Sequence, residues 1–250
     1  MKAITVTTEN VVALFSAIKR ITKRGAAIPG IGLIYGRTGA GKTTALRAAV
    51  GMFGAIFIRA FVMGGASSLM DDLCYELGIE PTRFKAQKFQ AIVSALQKEP
   101  RPIFIDEADY LCRHSEMLDL VRDLHDMSNV PVFLIGMEGI EKRLAAKHPQ
   151  FARRVSEPIQ FGACTLNDAK KLAAELCEGV TVAPDLIAEI KSRAEGNVGL
   201  VVMALTHIES YCRGYRLATI DKAQWGDMPM FLEADQERAK AQRAQKAGAV

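Results

Sequence analysis

The chain has 250 residues, 32 Lys+Arg against 28 Asp+Glu, and a formal net charge of +4. It is 49% hydrophobic and 24% charged, a composition that can bury a core and excludes a disordered or collagen-like chain. The length suits one large domain or two small ones, and the mild positive charge permits a nucleic-acid partner without arguing for one.

The first fifteen residues have only Lys2 as a basic start and carry Glu9 and Asn10 where a secretory leader would be apolar. No run reaches about 18 apolar residues, so the expectation is a cytoplasmic chain with no membrane partner. The five cysteines, Cys74, Cys112, Cys164, Cys177 and Cys212, are scattered and form no CxxC. Buried thiols in a reducing compartment are expected rather than disulfides or zinc.

In chain order, Val11, Val12, Leu14, Phe15, Ile18 and Ile21 recur at helical spacing between Thr8 and Arg24, predicting a leading amphipathic helix. Short apolar runs rich in β-branched residues then read as strands at 31–35, 55–60, 102–106, 131–136 and 158–161. Helical patterns separate them at 42–52, 67–77, 84–98, 115–127 and 139–147. This alternation predicts an α/β fold with a parallel five-stranded sheet flanked by helices. After Gly162 only helical patterns remain, at 166–177, 184–194 and 200–212. The predicted organisation is an α/β domain over 1–162, a small all-helical domain over 163–232, and a charged tail over 233–250 that frays or is disordered.

Gly36-Arg37-Thr38-Gly39-Ala40-Gly41-Lys42-Thr43 matches GxxxxGK[ST] directly after the first strand and before a helix, the context its mechanism requires. Its glycines let backbone N–H groups curl around phosphates, and the helix N-terminus favours the anion. Lys42 is placed to neutralise the β and γ phosphates of ATP, Thr43 to ligate Mg²⁺, and Thr44 completes the nucleotide-binding set. The run Ile103-Phe104-Ile105-Asp106-Glu107 ends a buried strand in two acids. Asp106 would reach the Mg²⁺ shell and Glu107 would polarise the attacking water. Asp106 to Asp109 also spells DEAD, a string found in RNA helicases. Such a helicase needs a second α/β domain, for which the residues after Gly162 are too few and too helical.

With the helical domain and the pair Arg153-Arg154, these motifs resemble the AAA+ ATPases, and within them the transposition regulators of the MuB and TnsC type. The finer likeness rests on Phe104-Ile105-Asp106-Glu107-Ala108-Asp109-Tyr110-Leu111, Leu134-Ile135-Gly136-Met137-Glu138 and Glu195-Gly196-Asn197-Val198-Gly199. The resemblance implies an ATPase that assembles with ATP as a homo-oligomeric filament or ring on double-stranded DNA and directs a transposase. It implies that Arg153 or Arg154 acts as a finger on a neighbour's site. It also places DNA contacts between Phe61 and Lys88, at Ser67, Ser68, Arg83, Lys85 and Lys88, through the backbone and without strong sequence preference.

Two departures stand out against that pattern. Met137 or a close neighbour occupies the end of the fourth strand where such proteins carry a polar residue, and no arginine lies near Gly199-Leu200. Hydrolysis is therefore expected to be slow, or to depend on neighbouring subunits and DNA. The alternatives from other classes are a switch ATPase acting on protein and a replication initiator or helicase loader. The histidines His114, His125, His148 and His207 form no metal spacing, and Trp225, Met228, Met230 and Phe231 are expected to pack the helical domain.

Overall fold

The computed structural model describes residues 1–2, 4–25 and 27–231. The tail predicted over 233–250 lies outside the described residues. The chain divides into two units, residues 10–162 and a second that joins Met1–Glu9 to the chain from Ala163 on.

In the larger unit the apolar runs form β1 (Ile31–Gly36), β2 (Ile56–Arg59), β3 (Ile103–Asp106), β4 (Val132–Met137) and β5 (Val155–Phe161). They pair in parallel in the order β2-β3-β4-β1-β5. Alternation along each strand sorts the side chains to two faces. Leu33, Ile58, Ile103, Ile105 and Leu134 enter one core with α3 (Ala66–Glu76), α4 (Lys85–Lys98) and α5 (Ser115–Ser128). Ile34, Phe104, Phe133, Ile135 and Ile159 enter the other with α1 (Glu9–Thr22) and α2 (Lys42–Phe53). Phe104 and Phe133 stack at 4.9 Å between ring centroids. A Cβ at Gly32 would come 2.5 Å from the Phe133 ring, so β1 keeps a glycine where that ring lies over it.

The predicted parallel α/β sheet is the one observed, with two differences of detail. β5 starts three residues before Pro158, because an edge strand tolerates a proline and polar residues that weaken the sequence signal. Two short helices follow β4, α6 (Ile140–Lys147) and α7 (Pro149–Ala152), the second a single turn too brief for periodicity to reveal.

The second unit is built on α8 (Leu166–Leu176), α9 (Pro184–Arg193) and α10 (Val198–Tyr215) around Leu172, Leu186, Ile190, Val201, Leu205 and Ile208. It is not wholly helical: β6 (Thr181–Val182) and β7 (Thr219–Ile220) pair in parallel, and α11 (Lys222–Trp225) follows. Strands of two residues carry no alternation to read. Trp225, Met230 and Phe231 are buried in this core, and the indole of Trp225 donates to the Met228 carbonyl at 3.0 Å. The first residues join this unit through a buried carboxylate. Asp168, 2% exposed, accepts from the Glu9 amide at 2.9 Å and is the partner of the Thr165 capping box that opens α8. Val6 enters the same core and the Lys2 amide donates to the Leu176 carbonyl at 2.9 Å.

All five cysteines are buried free thiols, and burial pushes those of Cys112, Cys164 and Cys177 up to about 11. Among the described residues no helix is long and apolar enough to cross a membrane.

Candidate nucleotide site

β1 lies between β4 and β5, with Gly36 in register with Met137 on one side and Phe161 on the other. The loop after β1 therefore rises from the middle of the carboxyl edge of the sheet, where open α/β sheets hold their ligands. Close packing forces the first glycine, since a Cβ at Gly36 would sit 2.6 Å from the Phe161 carbonyl oxygen. Gly39 and Gly41 turn through φ of 80° and 84°, the left-handed region that a side chain disfavours. Gly41 is the N-cap of α2 and supplies no side-chain cap, which leaves first-turn N–H groups facing the loop for an anion. Lys42 folds back and donates to the carbonyls of Gly36 at 2.7 Å and Arg37 at 2.9 Å. Burial lowers its pKa, while Asp106, Asp109 and Glu107 favour the charged form. An arriving phosphate offers the ammonium a better partner than the two carbonyls it spans.

β3 delivers Asp106, 9% exposed, beside this loop. Burial raises its pKa, and the Glu107 amide donating to its Oδ1 at 2.9 Å works against that rise. Glu107 has φ of 55°, a conformation that costs a non-glycine residue about 1 kcal/mol. Its carboxylate accepts from Arg59 Nη2 at 2.9 Å. Arg59 ends β2 and lies in register with Asp106. Sequence reading passed over Arg59; a charge closing an otherwise apolar strand was the available signal, but only the strand order shows that this strand abuts β3. The chain then turns across β4, with the Ala108 amide donating to Ile135 at 2.7 Å and the Met137 amide donating to Asp109 Oδ2 at 2.7 Å.

Met137 is the last residue of β4 and is 40% exposed, so an apolar side chain closes this strand beside the loop. The Thr38 hydroxyl reaches its sulfur at 3.7 Å, and Arg37 pairs with Glu138 at 3.2 Å. Ala40 is buried under the loop, whereas Thr43 and Thr44 are exposed at the start of α2.

Arg153 and Arg154 precede β5, whose first residue is in register with Ile31 at the start of β1. They sit at the amino edge of the sheet, about 15 Å of strand away from the phosphate loop. Arg154 donates to Asp126 at 2.5 Å and is half-buried; Arg153 is exposed. Neither is brought to the site of its own chain.

The residues expected to meet DNA separate into two groups. Lys88 is buried, 5% exposed, and paired with Asp71 between α4 and α3; this corrects its assignment to a DNA-facing surface. A lysine on the inner face of an amphipathic helix needs such a partner, and from sequence its charge reads as solvated. Ser68 is engaged at the start of α3, where its hydroxyl accepts from the Gly65 amide at 2.9 Å. Ser67 is half-buried, Arg83 exposed, and Lys85 exposed and paired with Glu116 at 3.5 Å.

The donor set suits a magnesium nucleotide: the Thr43 hydroxyl and the Asp106 carboxylate are hard oxygen ligands, too few for a cage and enough for an ion completed by phosphates and water. Bound there, the ion would neutralise charge on the β and γ phosphates. Among the described residues no cluster of three or more His, Cys, Asp or Glu could hold a metal ion.

Residues 28–144 match the family model described as AAA domain. Comparison with curated proteins finds no match. Among solved structures the chain is similar to the Aeropyrum pernix ORC2 protein in its ADPNP-ADP complexes, with a TM-score of 0.67 and 14% identity over 90% of this chain and 68% of that one. It is similar to Cdc6p from Pyrobaculum aerophilum, with a TM-score of 0.61 and 16% identity over 88% and 66% of the two chains. The Aeropyrum pernix ORC1 protein in complex with DNA gives 0.59 and 17% over 88% and 63%. The chain thus spans about two-thirds of the length of these proteins, and at such identities the likeness is one of fold. Residues 28–144 are an AAA-type P-loop ATPase domain, whose reaction is the hydrolysis of ATP to ADP and phosphate.

Proposed function

We propose that the protein is an ATP-dependent switch that assembles on double-stranded DNA and passes its nucleotide state to a protein partner. The observation that supports this reading is the split of the catalytic groups between the two edges of the sheet. Gly36 to Thr44, Asp106 and Glu107 gather at the carboxyl edge, while Arg153 and Arg154 lie at the amino edge. A cation from that edge can reach a γ-phosphate only on another copy, so ATP would join one subunit to the next. Arg153 is the better finger, being exposed where Arg154 is held by Asp126.

The DNA arm of the proposal rests on the exposed Arg83 and Lys85 and on the fold shared with the Aeropyrum pernix ORC1 protein, whose structure is in complex with DNA. The partner is a transposase by the resemblance of the motifs around Asp106, Met137 and Asn197 to the transposition regulators. The second reading, a replication initiator or helicase loader, is favoured by the likeness to the ORC and Cdc6 proteins. Turnover would be slow until assembly or DNA completes the site.

The test is fluorescence anisotropy of a labelled random-sequence duplex at fixed salt, with ADP or a slowly hydrolysed ATP analogue. Cooperative binding only with the analogue is the expected result. Equal binding, or none, in both states would overturn the DNA reading. Stimulation of strand transfer by a transposase, against retention of a replicative helicase, then separates the two partners.

A further inference from the structure

In ATP hydrolysis the transferred γ-phosphoryl group carries its charge on three equatorial oxygens, and a site without a fixed donor to them turns over slowly. The strand beside the loop ends in Met137, which cannot donate from its side chain. The structure brings a different group to that position. Asp109 Oδ2 accepts from the Met137 amide at 2.7 Å, and Asp109 Oδ1 accepts from Arg143 Nη2 of α6. One carboxylate thus ties the guanidinium to the last amide of β4, the residue in register with Gly36 at the foot of the phosphate loop.

Space is made for this arrangement. A Cβ at Gly136 would press on the Ile140 side chain and lie 2.7 Å from Asp109 Oδ2, so the glycine leaves room for both to close over the strand end. Gly139, at φ of 87°, starts α6 so that Arg143 Nη1 lies 3.8 Å from where its Cβ would be, folded back over the turn that follows β4. The same turn is held from the phosphate loop by Arg37 on Glu138 and by Thr38 on the Met137 sulfur. The Asp109 charge also acts on Lys42 of the phosphate loop, favouring its ammonium form. The pair is not sealed off: the Asp109 side chain is 17% exposed and that of Arg143 is 44% exposed. Guanidinium prefers the doubly charged γ-phosphate to a single carboxylate oxygen, and its planar fork can hold both.

We propose that Arg143, positioned by Asp109, is the cation that reads the γ-phosphate within the same subunit, in place of a polar side chain at the end of β4. Arg143 then discriminates ATP from ADP, and Asp109 is a positioning residue acting through it. The proposal rests on the ATPase reading of the phosphate loop.

The experiment measures, on protein dilute enough to be monomeric and with Mg²⁺ present, the affinities for ADP and for a slowly hydrolysed ATP analogue. Arg143→Ala is expected to weaken the analogue about tenfold or more while leaving ADP within about twofold, the loss of one hydrogen bond to a charged group. Arg143→Lys should restore part of the preference. Asp109→Asn, which still accepts from the Met137 amide, should lose the preference as Arg143→Ala does, and the double variant should be no worse than either single one. Loss of both nucleotides together, or an unchanged preference in a folded variant, would reduce the pair to a structural ion pair and overturn the proposal. If Arg143→Ala fails to fold, Arg143→Lys and Asp109→Asn decide by the same ratio. Should wild type bind neither nucleotide, the ATPase reading falls and the proposal with it; binding in wild type but not in Lys42→Ala keeps the first and leaves the second to the ratio.

Discussion

Arg59, the last residue of β2, holds the carboxylate of Glu107, the residue after Asp106, at 2.9 Å across the β2–β3 ladder. The pair engages one carboxylate oxygen and holds the side chain toward β2. The same structure has Lys42 donating to two carbonyls of its own loop. Replacing Arg59 with alanine should raise hydrolysis in the absence of DNA by about three- to tenfold and shrink the stimulation that DNA brings. A fall in basal turnover would show instead that Arg59 orients Glu107 for catalysis.

Glu107 and Lys42 should fail in different ways. Glu107→Gln keeps the shape of the side chain and removes the base, so turnover should drop by about 10²- to 10³-fold with ATP still bound. Lys42→Ala should abolish binding of ATP itself. Burial lowers the pKa of Lys42, so its charge is lost earlier on the alkaline side than that of an ordinary lysine. Nucleotide affinity of wild type should therefore weaken as pH rises into that range, and equilibrium titrations at several pH values would show it.

Placing Arg153 at the opposite edge of the sheet predicts complementation between dead variants. Glu107→Gln subunits carry an intact finger, and Arg153→Ala subunits an intact base. Mixed, they should regain activity that neither has alone, because some interfaces then combine both wild-type groups. Arg154→Ala should lose its contact with Asp126 and lower stability more than turnover. No recovery on mixing would place the finger elsewhere.

His125 offers a pH signature of the fold. Its Nε2 accepts from the Gly30 amide at 3.0 Å and its Nδ1 pairs with the Val130 carbonyl at 2.8 Å, which fixes a neutral ring at the start of β1. Burial, with Arg24 nearby, lowers its pKa from 6.5. The unfolded chain therefore takes up the proton first on acidification: the contribution is complete above pH 6.5 and is lost as pH falls below it, by at most about 1.4 kcal/mol per pH unit. Thermal unfolding between pH 7 and 5 should show that loss, and His125→Gln should flatten it.

For DNA, Arg83→Ala should weaken binding uniformly across sequences and reduce its salt dependence, as loss of a phosphate contact does. Lys88→Met, which fills the same buried space without charge, should leave DNA binding unchanged while altering stability through Asp71. Equal effects of the two substitutions on binding would contradict the buried position of Lys88.

Much of this was legible before the structure. The glycines and Lys42 form a motif within eight consecutive residues, and the apolar runs of β1, β3 and β4 announce buried strands because they are covered on both faces. What escaped reading depends on which strands become neighbours. Arg59 meets Glu107, and Asp109 meets Met137 and Arg143, only once β2, β3 and β4 lie side by side. Lys88 misled because its charge looks the same in sequence whether solvated or paired in the interior. Met1–Glu9 join the later unit through Asp168, a contact that spans 159 residues and leaves no local trace.

The most direct test of the account is steady-state ATP hydrolysis per subunit measured across a range of protein concentrations, with and without duplex DNA. A site completed by its neighbour predicts that turnover per subunit rises with concentration and that DNA shifts the rise to lower concentration. Turnover per subunit that stays constant over the whole range and ignores DNA would contradict it.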